Sequence, residues 1–134
     1  MNEEMINVNY SDVMLKSLKF EKSESYKEQQ YKIDFVDSAK ISSITTKSFK
    51  IEFSRSTLNH EPFSVSATFE LIVTFDQKAI EHFNGDLDKI KEFANLRKAD
   101  IVNGVAIPAR ASLLIGDVVR EFGAPLITPP FFKA

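Results

Sequence analysis

Residues 63–75 read Phe-Ser-Val-Ser-Ala-Thr-Phe-Glu-Leu-Ile-Val-Thr-Phe. Every odd position (Phe63, Val65, Ala67, Phe69, Leu71, Val73, Phe75) is apolar, the positions between are polar, and Ile72 alone breaks the pattern. A period of two is that of a strand with one face in a core and the other toward water. At 13 residues it is much longer than the usual ~5–6. Its ends are therefore expected to overrun their neighbours, and an overhanging apolar strand calls for a partner subunit or a ligand to cover it.

The rest of the chain is read outward from this strand. Phe49, Ile51 and Phe53 alternate with Lys50, Glu52 and Ser54, a second half-buried strand. Arg55 to Pro62 carries Ser, Asn, His and Pro and reads as the connection between the two. Tyr10 to Glu21, with Val13, Leu15, Leu18 and Phe20, is a further strand whose alternation slips near Ser17, where a bulge would restore register. Glu21 to Gln30 is a polar connection. Tyr31 to Asp37 alternates again, and Ser38 to Lys47, with Ile41 and Ile44, is compatible with its extension.

After Gln77 the period changes. Lys78 to Phe83 reads as a short turn-like segment closed by Asn84-Gly85, after which Asp86 is placed to cap a helix from Leu87 to about Arg97. Asp100 to Ala106 leads to a second helix, with Pro108 suited to its first position and Gly123 to the position past its end. Ala111, Leu114, Ile115, Val118, Val119 and Phe122 form its apolar stripe. Pro125, Pro129 and Pro130 then make the tail through Phe131 and Phe132 extended, expected to pack by side chains alone. Strands first and helices last predict one α+β domain over residues 1–134, its helices on one face of an antiparallel sheet.

The chain has 17 basic and 19 acidic residues, which leaves no basic footprint for nucleic acid and no polybasic patch for a membrane. It holds no Cys, so disulfide and thiol chemistry are excluded. Met1 to Met5 lacks the features of a signal peptide and no apolar run is long enough to span a bilayer, so the cytoplasm is the expected location. His60 and His82 have no metal-ligand spacing, the glycines form no phosphate loop, and Asp86 and Asp88 are accounted for as a helix cap and first-turn acid. No catalytic residue, metal or cofactor is expected, and the chain does not read as an enzyme.

Twelve Phe without a single Trp make the apolar surface unusually aromatic. Phe69, Leu71 and Val73 are candidates for a subunit interface or a groove for polypeptide clients, and Phe49, Phe53 and Phe63 for groove walls. Each taken singly also reads as core. As a set they exceed what two helices are expected to cover. A structural assembly component and a small-ligand-binding α+β domain are the alternatives from other classes.

Ile107-Pro108-Ala109-Arg110-Ala111, then Gly123-Ala124-Pro125-Leu126 and Pro129-Pro130-Phe131-Phe132, resemble in order the C-terminal motifs of the SecB family of export chaperones. Ala109-Arg110 and Gly-x-Pro match directly, Pro108 and Ala111 stand where the family has Tyr and Glu, and the tail aligns only with a short gap. Tyr10 to Glu21, Thr68 to Phe75 and Gly85 to Phe93 resemble the family's first strand, fourth strand and polar helix. The resemblance implies a four-stranded antiparallel sheet with two helices on one face, assembled as a dimer of dimers. It implies an ATP-independent holdase for unfolded polypeptides, serving export or a specific client such as an antitoxin. The family's further helix and its basic, zinc-contacting tail are missing after Phe132, which puts docking to the SecA motor in doubt.

Overall fold

The computed structural model describes residues 6–22, 34–58, 63–121 and 129–132. Tyr31, Ile33, His60, Phe122 and the Gly123 to Leu126 motif lie outside the described residues. The elements are β1 (Val8–Tyr10), β2 (Met14–Lys22), β3 (Phe35–Ile44), β4 (Ser48–Thr57), β5 (Phe63–Phe75), α1 (Gln77–Phe83), α2 (Leu87–Gly104) and α3 (Ile107–Glu121). The fold is α+β as expected, with five antiparallel strands and three helices among the described residues where four and two were expected.

The extra strand, β1, lies ahead of the strand expected over Tyr10 to Glu21 and shares only Tyr10 with it, while β2 takes up the rest. β1 pairs with Val73–Phe75 and β2 with Phe63–Glu70, so both lie along one side of β5 while β4 takes the other. The sheet is thus four strands wide, with β5 and β4 central and β3 as the far edge. At the break between β1 and β2, Ser11 keeps the ladder satisfied. Its N–H donates to the Ile72 carbonyl and its Oγ accepts the Ile72 N–H, both at 2.9 Å. The register slip expected near Ser17 is present between Leu15 and Ser17.

The expected overhang of β5 is absent. β2 pairs Phe63 to Glu70 and β1 pairs Val73 to Phe75, and its seven odd residues are at most 3% exposed. β3 runs on through Ser38 to Ile44, joined to β4 by a tight turn in which Thr45 Oγ1 accepts the N–H groups of Lys47 and Ser48. β4 continues to Thr57, so Arg55 lies in a strand and not in the connection that its polarity suggests.

The helices cap and bend by local chemistry. Lys78 to Phe83 belongs to a true helix, α1, because Asp76 leaves the strand and accepts the Ala79 N–H at 2.8 Å. Asn84 (φ 47°) and Gly85 (φ 76°) then take left-handed backbone, which Gly adopts freely for want of a Cβ and the short polar Asn side chain tolerates. Asp86 caps α2 as expected, accepting from Asp88 and Lys89. α2 runs seven residues past Arg97 to Gly104, because Ile101 and Val102 continue the buried stripe of Phe93 and Ala94. It then bends by 55° into α3, with Ala106 at φ 58° in the junction. Pro108 is the second residue of α3, not the first.

One core fills the space between the sheet and the helices. Phe49, Phe75, Phe83 and Phe93 knit β4, β5, α1 and α2 at centroid distances of 5.0–6.3 Å, the range in which aromatic pairs attract. Seven of the eleven described Phe are buried here, so the aromatic excess builds core before it builds surface. No single helix among the described residues is long and apolar enough to cross a membrane.

Candidate functional site

The six residues expected to form a client groove or subunit interface all lie in this core. Phe53, Phe69, Leu71 and Val73 are 0% exposed, and Phe49 and Phe63 are 1% exposed. Side chains without surface line no groove in this conformation. The expectation counted two helices as the cover, whereas three helices and the C-terminal tail share the face. Phe132 packs edge-on against Phe53 at 5.7 Å, and the Arg110 guanidinium lies 5.6 Å from the Phe69 ring.

Surface of the expected kind is found at the β1–β2 edge instead. Directly paired residues project to the same face. Tyr10 opposite Val73, Leu15 opposite Phe69, Leu18 opposite Ala67 and Phe20 opposite Val65 therefore share the helix-covered face. The helices cover them incompletely: Tyr10 is 48% and Leu15 42% exposed, with Leu18 and Phe20 half-buried. Beside Tyr10 a cleft of ≈ 350 Å³ opens between β1 and α2, lined by Ile6, Val8, Phe93, Ile101 and Arg97. Among the described residues no strand pairs outside β1 or β2. An apolar strip thus runs beside a row of backbone donors and acceptors that no described strand pairs, which is what an extended chain needs to dock. Arg110 of α3 reaches this edge, its Nη1 donating to the Val13 carbonyl at 3.0 Å.

The opposite flank of the core is closed by a clasp that sequence reading missed. Arg55 is 0% exposed and faces Asp37 across the β3–β4 pair. Nε donates to Oδ1 at 2.7 Å and Nη2 to Oδ2 at 2.8 Å, a bidentate fork. The guanidinium also donates to the carbonyls of Pro108 (3.4 Å), Pro129 and Phe131 (3.2 Å). Asn103 of α2 holds the next residue from both sides, accepting the Phe132 N–H at 2.8 Å and donating to its carbonyl at 2.9 Å. The described part of the tail is therefore held by its backbone as well as by side-chain packing, contrary to expectation. The signal was one of parity: Asp37 and Arg55 keep the inward positions of Ala39 and Phe53, so two opposite charges on facing strands point into the core.

The far face of the sheet is polar. Ser54 and Thr68 hydrogen-bond across β4 and β5 at 2.9 Å. Lys16 pairs with Glu52 (2.9 Å), Lys50 with Glu70 (3.3 Å) and Lys40 with Glu52 (3.7 Å). The hydrogen bond from Lys16 holds the Glu52 carboxyl below the usual carboxylate range, against partial desolvation and helped by the Lys16 and Lys40 charges. The same bond raises Lys16 above its ordinary value. His82 is exposed in the last turn of α1 beside Phe83, and no described His, Asp or Glu residues gather as a metal site.

No known protein-family model matches this chain, and no curated protein matches it. A crystal structure of a protein of unknown function from Streptococcus agalactiae is similar at a TM-score of 0.39 and 11% identity. The match covers 92% of this chain and 98% of that one.

Proposed function

We propose that this protein is a non-catalytic, ATP-independent holdase of SecB-like kind that binds extended segments of unfolded polypeptide along the β1–β2 edge. The observation that carries the reading is the juxtaposition there of an open sheet edge with the partly covered strip Tyr10, Leu15, Leu18 and Phe20 and the adjoining cleft. Backbone pairing supplies affinity without regard to sequence, while the apolar strip and cleft select the apolar side chains that unfolded chains expose and folded ones bury. Preproteins awaiting export and aggregation-prone antitoxins both present such segments. Cytoplasmic location, assembly as a dimer of dimers and engagement of SecA or an antitoxin belong to this proposal.

The test is aggregation suppression. Tyr10→Asp with Leu15→Asp places charges on side chains already 48% and 42% exposed, so the fold is retained while the strip becomes hostile to apolar segments. The double variant is expected to fold as the parent does, by circular dichroism, and to lose most suppression of a slowly folding, destabilised client. Suppression unchanged in the folded variant would contradict the reading.

A further inference from the structure

The clasp at the C-terminal tail is a peptide-recognition site in its chemistry. Five contacts hold Pro129 to Phe132: Arg55 on the Pro129 and Phe131 carbonyls, Asn103 on the N–H and the C=O of Phe132, and the Phe53 ring edge-on to the Phe132 ring. Four of them address main-chain atoms, and only the fifth reads a side chain, requiring an aromatic ring. Asn103 grips the N–H and the C=O of one residue together. Such a two-handed amide matches any extended segment, since every non-proline residue offers the same pair of groups. Arg55 is also anchored by partners outside the tail: Asp37 takes two of its bonds and the Pro108 carbonyl a third.

We infer that this seat is a second binding site for extended, aromatic-bearing segments of client polypeptides, and that the chain's own Pro129–Phe132 occupies it as an internal competitor. The identity of the external occupant rests on the holdase reading; the recognition chemistry of the seat does not. A tethered tail competes at an effective concentration on the order of mM. Only clients rich in apolar segments, or clients already held at the β1–β2 edge, would displace it.

The experiment uses the full chain and a peptide of residues 126–134 labelled at its N-terminus, read by fluorescence anisotropy. Phe131→Ala with Phe132→Ala removes the ring from Phe53 and is expected to strengthen peptide binding by roughly tenfold or more over the parent. Adding Asn103→Ala to that variant is expected to abolish the gain. Equal peptide affinity in parent and tail variant, or a gain that survives loss of Asn103, would overturn the inference. If the tail variant loses its fold, the parent is mixed with excess peptide bearing benzoylphenylalanine in place of the second Phe and irradiated. Crosslinks to the segments carrying Phe53 or Asn103 support the seat, and their absence overturns it. A parent dimer that the peptide dissolves would make a second copy the occupant and overturn the client assignment. Peptide binding without any suppression of client aggregation would retain the seat and remove the holdase reading, so the two failures are separable.

Discussion

A guanidinium taken fully out of water costs several kcal/mol, and Arg55 offsets this with the Asp37 fork and carbonyls from α3 and the tail. Removing one partner of such a pair leaves the other charge buried and unmatched. Asp37→Ala is therefore expected to cost about 3 kcal/mol by urea denaturation. Adding Arg55→Met to Asp37→Ala should recover part of that loss, because the orphaned charge goes with it; additive losses would show that the fork contributes nothing. Leu71 carries a different lesson. Its place in a strict alternation marks it as inward-facing, but alternation cannot say whether the inward face meets the chain's own helices or a partner. With Leu71 at 0% exposure, Leu71→Ala should cost roughly 2–5 kcal/mol and destabilise the folded chain itself. Glu52 sets a pH dependence of defined sign. Its folded-state pKa is depressed, so its contribution is present above the unfolded carboxylate value and is lost as pH falls through the folded one. Lys16 is raised, so its contribution is present below the ordinary lysine range and is lost as pH rises through the folded value. Glu52→Gln is expected to flatten the acid limb of stability against pH while costing under ~1 kcal/mol at neutrality; an unchanged acid limb would contradict that assignment.

Among the elements, those with one unbroken period were the most legible. β5 is found where its alternation places it, the Ser17 slip is present, and Asp86 caps α2. Elements were misjudged where polar residues stood at buried positions or where a cap was hidden in a strand pattern. Arg55 made the end of β4 look like a connection, and Asp76, polar and in phase with β5, was the N-cap of an unexpected helix. α2 outruns its expected end at Arg97 because the four-residue steps linking Phe93, Arg97 and Ile101 continue past the polar Asp100 and Asn103. The α2–α3 junction holds a testable strain. A residue with a Cβ in left-handed backbone costs about 1–2 kcal/mol, and glycine returns part of that gain through its unfolded-state freedom. With Ala106 at φ 58°, Ala106→Gly should raise stability by about 0.5 kcal/mol; a loss would mean that the Ala106 methyl makes contacts worth more than the strain.

For the whole molecule, the two flanks of the helix-covered face differ, and the proposed function rests on the difference. On the β3 side the Arg55–Asn103 clasp and Phe132 close the core. On the β1–β2 side the cover stops short, leaving Tyr10 and Leu15 beside an open edge and a cleft. The α+β layering was legible because strands precede helices in the chain. The asymmetry was not, because it depends on how far α2 and α3 reach across the sheet, and no local pattern encodes that. The polar far face, with its Lys–Glu pairs and Ser and Thr rows, keeps the second side of the sheet wet. The central claim is that the uncovered flank holds unfolded polypeptide. It is tested most directly by the native mass of the pure protein, alone and with an equimolar, slowly folding, destabilised client in the absence of ATP. The account predicts an oligomer that takes up the unfolded client and delays its folding. A species whose mass is unchanged by the client, and which leaves its folding rate untouched, would contradict it.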